Sequence, residues 1–353
     1  MREPPDIPIE RLRACLREHY DLAALTLEFL PRGHDYSAGV YQVMSERGAA
    51  YLLKVTSRPL YEPSCLVPRY LSQQGIAAVV APVPTTSGAL WTTLAGERGE
   101  WTAIVYPWII GDTSLTGMTD AQWNEAGALF KRIHQVRLSP EALAGFAPPR
   151  AETFDPTAYA RWVRAFDSQH PHARLGESES GSARAVRATW IEHQSTIHTI
   201  VTSLETLAAV LRSRIHALPY VICHADLHPA NLLRDPAGHV CVIDWDEVML
   251  APKERDFIFI REPRAGAFWE GYGLSPEEID WVALTYFRWE RVVQDLIEDA
   301  QLVCFRSDVG EDTKVAAAQT IANTFAPSDN VAAAYAAAAH LPPDLSRPTT
   351  AGS

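Results

Sequence analysis

The stretch that decides the fold covers residues 220–233 and reads Tyr-Val-Ile-Cys-His-Ala-Asp-Leu-His-Pro-Ala-Asn-Leu-Leu. An apolar run enters a polar loop that carries Asp226 and Asn231. A second apolar run then ends on Asp244, thirteen residues after Asn231. The turn residues 235–238 between the two runs predict a hairpin. We therefore expect Asp226, Asn231 and Asp244 to lie close together in space.

Two carboxylates and one amide suit a hard cation such as Mg²⁺, which prefers oxygen ligands together with water and substrate phosphate. One carboxylate can face a reacting hydroxyl while the other two groups hold the metal. A loose phosphoryl-transfer transition state needs positioning and charge neutralisation more than a strong base. The residue types in this segment therefore favour phosphoryl transfer.

The pattern His-x-Asp-x-x-x-x-Asn at residues 224–231, followed by Ile-Asp-Trp at residues 243–245, resembles the catalytic segments of the protein-kinase-like superfamily. In this form it is most similar to the aminoglycoside phosphotransferase family, which includes choline and sugar kinases. Residues 250–256, Leu-Ala-Pro-Lys-Glu-Arg-Asp, resemble the spectinomycin-type aminocyclitol phosphotransferases. The resemblance spans roughly residues 25–340 and is specific only in these segments.

The resemblance implies a role for each motif residue. Asp226 is the catalytic aspartate that accepts or orients the acceptor hydroxyl proton. Asn231 and Asp244 are ligands of a Mg²⁺ ion that bridges the phosphates of the co-substrate, ATP or GTP. His224 braces the loop through hydrogen bonds, and Asp256 supports the same region.

A lysine in an apolar strand is a second signal. Only four of the 31 basic residues are lysines, and Lys54 lies within the apolar segment 50–55. The resemblance implies that Lys54 grips the α- and β-phosphates and pairs with a helix glutamate, for which Glu62 is the nearest downstream acid. Taken alone, Lys54 would more simply reach solvent from an edge strand, but the presence of Asp226, Asn231 and Asp244 favours the phosphate contact.

Two further segments resemble nucleotide contacts. The loop 33–39 joins two strands, as a phosphate-binding loop does, but it lacks the G-x-G-x-x-G pattern. We expect Ser37 and nearby N–H groups to meet phosphate, although a plain hairpin loop fits as well. Residues 105–109 resemble the interlobe hinge that faces the purine, which implicates Tyr106, Trp108 and Ile109; an apolar strand end is the alternative.

Acceptor recognition is expected from acidic residues in the helical part. Asp295 and Asp299 are four residues apart on a predicted helix, where like charges repel unless a cation lies between them. That spacing suits an amine-bearing acceptor, and it suits a solvated helix face equally, because Arg291 precedes Asp295 by four residues. The expected acceptor contacts are Asp246, Glu247, Trp289, Glu290, Asp295 and Asp299.

The order of elements predicts an α+β, bilobal protein-kinase-like fold. Residues 1–107 form the nucleotide-covering lobe, with about five antiparallel strands and one helix over residues 66–74. Residues 108–353 form a larger, mainly helical lobe with the catalytic and acceptor sites. Within it we expect a flexible loop at about residues 168–187, which is rich in Gly, Ser and Glu near its centre.

Two capping boxes predict where helices start. Thr119 and Gln122 form one, ahead of an apolar pattern with helical spacing. Ser275 and Glu278 form the other, with Pro276 at the first helical position, and predict the start of the helix that carries the acceptor-side acids.

The composition of the chain argues against several classes of protein. The formal net charge of −12 argues against nucleic-acid binding and permits a cationic small molecule. No apolar run reaches about 18 residues, so we expect no membrane span, and the proline-bearing first ten residues are not a secretory signal. Five scattered cysteines without a C-x-x-C pair indicate a cytoplasmic protein. A monomer and a dimer are both open.

Other functions fit less well. A dinuclear metallophosphatase lacks its further ligand motifs, and a zinc site at His224, Asp226 and His228 lacks a distant partner. A protein kinase lacks room for an activation segment between Asp244 and Asp256. An inactive kinase-like binding module is disfavoured by the complete Lys-Asp-Asn-Asp set.

The sequence thus predicts a small-molecule O-phosphotransferase for an aminocyclitol or aminoglycoside antibiotic, conferring resistance by modification. A metabolic kinase for a sugar, choline-like compound or amino alcohol is the alternative, as is a phosphotransferase for another antibiotic such as a nucleoside type.

Overall fold

The computed structural model describes residues 4–31, 37–96, 99–139, 148–169, 180–307, 309–327 and 329–346. Its amino-terminal part is an antiparallel sheet of five strands in the order β1-β2-β3-β5-β4. This confirms the predicted antiparallel sheet. The strands are β1 (Ala24–Leu30), β2 (Ala38–Ser45), β3 (Ala50–Thr56), β4 (Thr92–Gly96) and β5 (Gly99–Pro107).

Two helices accompany this sheet, one more than the sequence analysis identified. The predicted helix is α2 (Pro63–Gln73). The additional helix is α1 (Ile9–Tyr20), which buries Leu12 and Leu16 together with the inward face of the sheet. The buried positions of α1 follow helical spacing, so its amphipathic signal was present among the surrounding charges.

The carboxy-terminal part is mainly helical, as predicted. The Thr119–Gln122 capping box forms and starts α3. The long helix Trp281–Phe305 is the centre of the larger core. It packs against the helices Gln194–Ser213, Glu311–Thr324 and Asn330–Ala338. The helices are α3 (Asp120–Gln135), α4 (Thr157–Gln169), α5 (Gly181–Glu192), α6 (Gln194–Ser213), α7 (Ala265–Tyr272), α8 (Trp281–Phe305), α9 (Glu311–Thr324), α10 (Asn330–Ala338) and α11 (Pro343–Ser346).

The second capping box does not start α8, so that prediction was wrong. Ser275 and Glu278 do form the box, but it caps a single 3-10 turn, Pro276–Glu278. Ile279 is then extended, and the Asp280 carboxylate accepts from the N–H groups of Val282 and Ala283 at 3.1 Å. A second N-cap, Asp280, five residues after Ser275, therefore sets the start of α8.

Short strands connect the sheet to the helices. They are β6 (Asp112–Thr113), β7 (Val221–Cys223), β8 (Leu232–Arg234), β9 (Val240–Val242) and β10 (Met249–Ala251). The predicted hairpin is β8–β9, and β7 pairs with β10. The segment after α2 pairs with β9, since Val80 N–H donates to the Val242 carbonyl at 3.0 Å.

We propose that the lobes divide at residue 107, where β5 ends. Of the flexible loop expected at residues 168–187, residues 170–179 lie outside the described residues. Residues 181–187 belong to α5, capped by Ser180, so a loop there was a wrong expectation. In the part of the chain that the structure describes, no helix is both long and apolar enough to span a membrane.

Candidate active site

The polar loop between β7 and β8, residues 224–231, is held by a buried carboxylate. Asp256 accepts from the backbone N–H of His224 at 3.0 Å and of Ala225 at 2.7 Å. Ala225 has a φ of +69°, a left-handed conformation that a residue other than glycine rarely adopts. The two charge-assisted hydrogen bonds stabilise this bend. Asp256 thus lies where the resemblance placed it, under the loop.

A histidine from α3 supports Asp256 in turn. His134 Nε2 lies 2.9 Å from the Asp256 carboxylate, and its Nδ1 lies 2.8 Å from the Tyr272 hydroxyl on α7. Burial raises the pKa of Tyr272, so the hydroxyl stays protonated. Helices α3 and α7 pack so closely that a Cβ on Gly271 would overlap the Asn124 backbone. This packing holds His134 and Tyr272 within hydrogen-bond distance. Sequence analysis did not identify His134.

His224 braces the loop from inside. Its Nε2 lies 2.8 Å from the Ile243 carbonyl, and its Nδ1 accepts from the Asp226 N–H at 3.3 Å. Because both ring nitrogens have partners in the protein, His224 is unsuited to the zinc site that the sequence left as a minor alternative.

Asp226 and Asn231 lie against each other. Asn231 Nδ2 donates to the Asp226 backbone carbonyl at 2.8 Å and to Asp226 Oδ2 at 3.3 Å. The amide nitrogen therefore points at Asp226, which leaves the amide oxygen as the atom that can ligate a metal. The Asp226 side chain is 29% exposed, so its carboxylate is accessible from solvent.

The β8–β9 hairpin brings Asp244 beside Asn231. The Ile243 N–H donates to the Asn231 carbonyl at 3.0 Å. Asp244 follows with a φ of +62°, again left-handed for a residue that is not glycine. Such strain is typical of functional positions.

Lys54 meets this group from the sheet. Its Nζ lies 3.2 Å from Asp244 Oδ1 and 2.6 Å from Asp246 Oδ2. Burial alone would lower the pKa of Lys54, but the two carboxylates raise it, so the ammonium stays charged. Burial likewise opposes ionisation of Asp244, yet Lys54 holds its pKa below the ordinary value. Burial and the Asp244 charge raise the pKa of Asp246.

Two assignments change as a result. Asp246 was expected at the acceptor, but the structure places it against Lys54, the residue expected to bind phosphate. Glu62 was expected to pair with Lys54, which was wrong. Pro63 begins α2 immediately after Glu62, so the Glu62 side chain lies exposed at the helix end.

The other residues that were expected to contact the nucleotide lie at or just beyond the ends of β2 and β5. Ser37 precedes β2, and residues 33–36 of the expected phosphate loop lie outside the described residues. Tyr106 is at the end of β5, next to Cys65 and Asp246. Burial raises the pKa of Tyr106, and the charges of Cys65 and Asp246 raise it further. The Trp108 N–H donates to the Ala50 carbonyl at 3.2 Å and is committed to the sheet. Ile109 follows, half-buried.

Two of the expected acceptor contacts are buried in the core, so their assignment was wrong. Trp289 is 2% exposed and packs edge-on against Tyr335. Glu290 forms a buried ion pair with Arg255 and accepts from the Tyr286 hydroxyl at 3.1 Å. Both residues occupy the face of α8 that points inward.

Two acids of α8, Asp295 and Glu298, lie near Asp226. Burial raises the pKa of Asp295 and of Glu298, and the Asp226 charge contributes to both. Burial, then repulsion from Asp295 and Glu298, raises the pKa of Asp299 to about 7. Glu247 is exposed and forms an ion pair with Arg150. Asp295, Glu298 and Asp299 thus form a cluster of carboxylates on α8.

Comparison with known families decides which chemistry this arrangement serves. Residues 28–282 match the family model described as the phosphotransferase enzyme family. The chain belongs to this family. It is a nucleotide-dependent phosphotransferase of the protein-kinase-like group, as the motif at residues 224–231 predicted. A search of curated proteins found no match.

Solved structures agree with the phosphotransferase fold. The chain is similar to spectinomycin phosphotransferase APH(9)-Ia in complex with ADP and spectinomycin, at 27% identity and a TM-score of 0.81, covering 93% of this chain and 98% of that one. It shares its fold with an aminoglycoside phosphotransferase from Alicyclobacillus acidocaldarius, at 16% identity, a TM-score of 0.60, and 95% and 96% coverage. A microcompartment-associated aminopropanol kinase has the same fold at 18% identity, a TM-score of 0.56, and 97% and 100% coverage.

Proposed function

We propose that this phosphotransferase moves the γ-phosphate of ATP or GTP to a hydroxyl of an aminocyclitol or aminoglycoside-type antibiotic, in the cytoplasm, and so confers resistance. The observation that carries the proposal is the contact of Lys54 with Asp244, across 190 residues, beside Asp226 and Asn231. This contact brings a lysine of the sheet next to the oxygen ligands of the loop, which is the arrangement that binding of a metal-bound triphosphate between sheet and loop needs.

The residues divide the chemistry as follows. Lys54 binds the phosphates as a fixed point charge. Asn231 and Asp244 offer an amide and a carboxylate oxygen, which fit Mg²⁺. The bound metal would neutralise charge on the β- and γ-phosphates. Ser37 and the hinge residues Tyr106, Trp108 and Ile109 remain proposed contacts of the nucleotide.

Asp226 acts on the acceptor. The acceptor oxygen forms a bond to the γ-phosphorus while the bond to the leaving nucleoside diphosphate breaks, and the hydroxyl proton passes to the Asp226 carboxylate. A carboxylate of modest basicity suffices, because the proton leaves late in a loose transition state. Its main contribution is to hold the hydroxyl in line with the bond that breaks.

The carboxylates near Asp226 support a cationic acceptor. Asp295, Asp299 and Glu247 are proposed to bind its ammonium groups. Spectinomycin carries such groups, and the phosphotransferase that binds it is 27% identical to this chain. An amino alcohol would meet the same acids, so a metabolic kinase is the second candidate. A neutral nucleoside antibiotic would gain nothing from them.

A substrate screen tests the proposal. The full chain is incubated with Mg²⁺ and ATP or GTP against spectinomycin, aminoglycosides, choline, amino alcohols and a nucleoside antibiotic, and products are read by mass spectrometry. We expect one added phosphoryl group on an aminocyclitol or aminoglycoside. Exclusive phosphorylation of an amino alcohol would favour the metabolic kinase. Nucleotide binding without turnover of any acceptor would indicate an inactive binding module.

A further inference from the structure

Arg291 on α8 bridges the proposed catalytic aspartate to an acid of the acceptor side. Its Nη1 donates to Asp226 Oδ1 at 3.0 Å, and its Nε lies 2.8 Å from Asp295 Oδ1. Burial would lower the pKa of Arg291, but Asp295 and Asp226 raise it above its ordinary value. The guanidinium therefore stays charged between two carboxylates.

The surroundings hold this guanidinium in place. It lies over the ring of Phe259, with its Cζ 5.3 Å from the ring centroid, a cation–π arrangement. Phe259 in turn contacts His228 of the catalytic loop edge-on, at 5.2 Å between ring centroids. The second oxygen of Asp295 accepts from Asn330 Nδ2 on α10 at 3.0 Å. Arg291 is thus fixed by groups from several parts of the chain.

The bridge has a consequence for Asp226. Arg291 donates to Oδ1, and Asn231 donates to Oδ2 at 3.3 Å, so each carboxylate oxygen has its own donor. Rotation of the carboxylate about its Cβ–Cγ bond would break both contacts. Each oxygen retains a second lone pair, with which it can accept the acceptor hydroxyl.

We propose that Arg291 is the positioning residue of Asp226: it orients the carboxylate toward the acceptor hydroxyl and ties it to the helix that carries the acceptor-side acids. This inference rests on the proposed phosphotransfer. Arg291 acts through Asp226, whose Oδ1 accepts its hydrogen bond, and the proposed phosphate contacts are other residues. Its removal therefore lowers kcat for acceptor phosphorylation and leaves nucleotide KM unchanged.

The test is chemical rescue of Arg291→Ala. We expect kcat to fall by about tenfold to a hundredfold, as for a misplaced catalytic group, with nucleotide KM within about twofold of wild type. Millimolar ethylguanidinium should restore part of the lost kcat, because its planar N–H groups can replace the bridge. Urea, which has the shape but no charge, should not. Arg291→Lys should retain an intermediate kcat.

The matched control is Arg214→Ala, which removes an ion pair with Asp280, 2.9 Å long, at the start of the same helix. It should leave kcat unchanged. Two results would overturn the inference about Arg291 without contradicting the proposed function. One is an unchanged kcat in Arg291→Ala, and the other is a loss of kcat that ethylguanidinium restores no better than urea does. If Arg291→Ala does not fold, a kcat of Arg291→Lys equal to wild type would overturn it. An inactive wild-type protein would contradict the proposed function as well.

Discussion

Asp226 can hold a hydroxyl in line only if its carboxylate is present and ionised. Asp226→Asn keeps the shape but removes the proton acceptor, so we expect acceptor phosphorylation to fall by about a hundredfold or more. Nucleotide affinity, measured by titration calorimetry, should change little because Lys54 and Asp244 remain. Residual transfer close to the wild-type rate would remove Asp226 from the catalytic role.

Lys54 is the cation that the two carboxylates Asp244 and Asp246 face. Lys54→Met should raise nucleotide KM and lower kcat, together about tenfold to a hundredfold in kcat/KM, since the phosphates then meet two uncompensated acids. Steady-state kinetics with varied nucleotide measure this. The control is Lys314→Met, whose lysine lies beside Phe166 and Cys304. Equal nucleotide kinetics for both variants would place Lys54 outside the site.

At the level of single residues, the sequence identified the motif residues but not the side chains that contact them. Asp226, Asn231 and Asp244 were identifiable because the hairpin that unites them is local. Which acid meets Lys54 depends on how the sheet sits on the loop, and spacing along the chain does not contain that information. Glu62 was chosen by proximity in sequence, whereas Asp246 lies 192 residues away.

Helix α8 carries both core and site residues. The rotation of the helix about its axis determines which side chains are buried and which face Asp226. The sequence showed acids and aromatics at many positions of this helix, so Trp289 and Glu290 were assigned to the acceptor. Glu290 is buried with its ion-pair partner Arg255, which lies on a distant turn. Trp289 packs against Tyr335 of α10. Arg291 and Asp295 lie on the opposite side, toward Asp226.

The raised pKa of Asp299 on α8 predicts that acceptor turnover depends on pH. Asp299, with its pKa raised to about 7, is neutral below that pH and anionic above it. If it binds an ammonium group, kcat/KM for the acceptor should rise through about pH 7, by up to about fivefold for a partly exposed pair. Asp299→Asn should flatten this rise while nucleotide KM is unaffected. Identical profiles for wild type and Asp299→Asn would contradict the assignment.

The packing of α3 against α7 predicts a stability effect at the catalytic loop. His134→Phe removes a buried hydrogen bond to Asp256 and leaves that carboxylate less compensated, which should cost about 2–3 kcal/mol in the free energy of unfolding. Urea denaturation measures it, and kcat should fall because the loop loosens. Tyr272→Phe, which removes only the outer hydrogen bond, should cost about 1 kcal/mol. Equal losses would show that His134 does not act through Asp256.

The whole molecule places a small sheet over a helical body, with the site between them. The order of strands and helices predicted this α+β arrangement, because each element carries its own periodicity and turn signals. The sequence did not reveal α1, or the bridge from Arg291 to Asp226 across 65 residues. Such contacts arise from the assembly of helices around α8 rather than from any local pattern.

The central claim is that Lys54, Asn231 and Asp244 enclose a metal-bound triphosphate in front of Asp226. A crystal structure with Mg²⁺ and a non-hydrolysable ATP or GTP analogue tests it most directly. We predict the metal at about 2.1 Å from the Asn231 amide oxygen and an Asp244 oxygen, with Lys54 Nζ on a phosphate and the γ-phosphate facing Asp226. A metal bound to other residues, or a triphosphate that does not contact Lys54, would contradict the account.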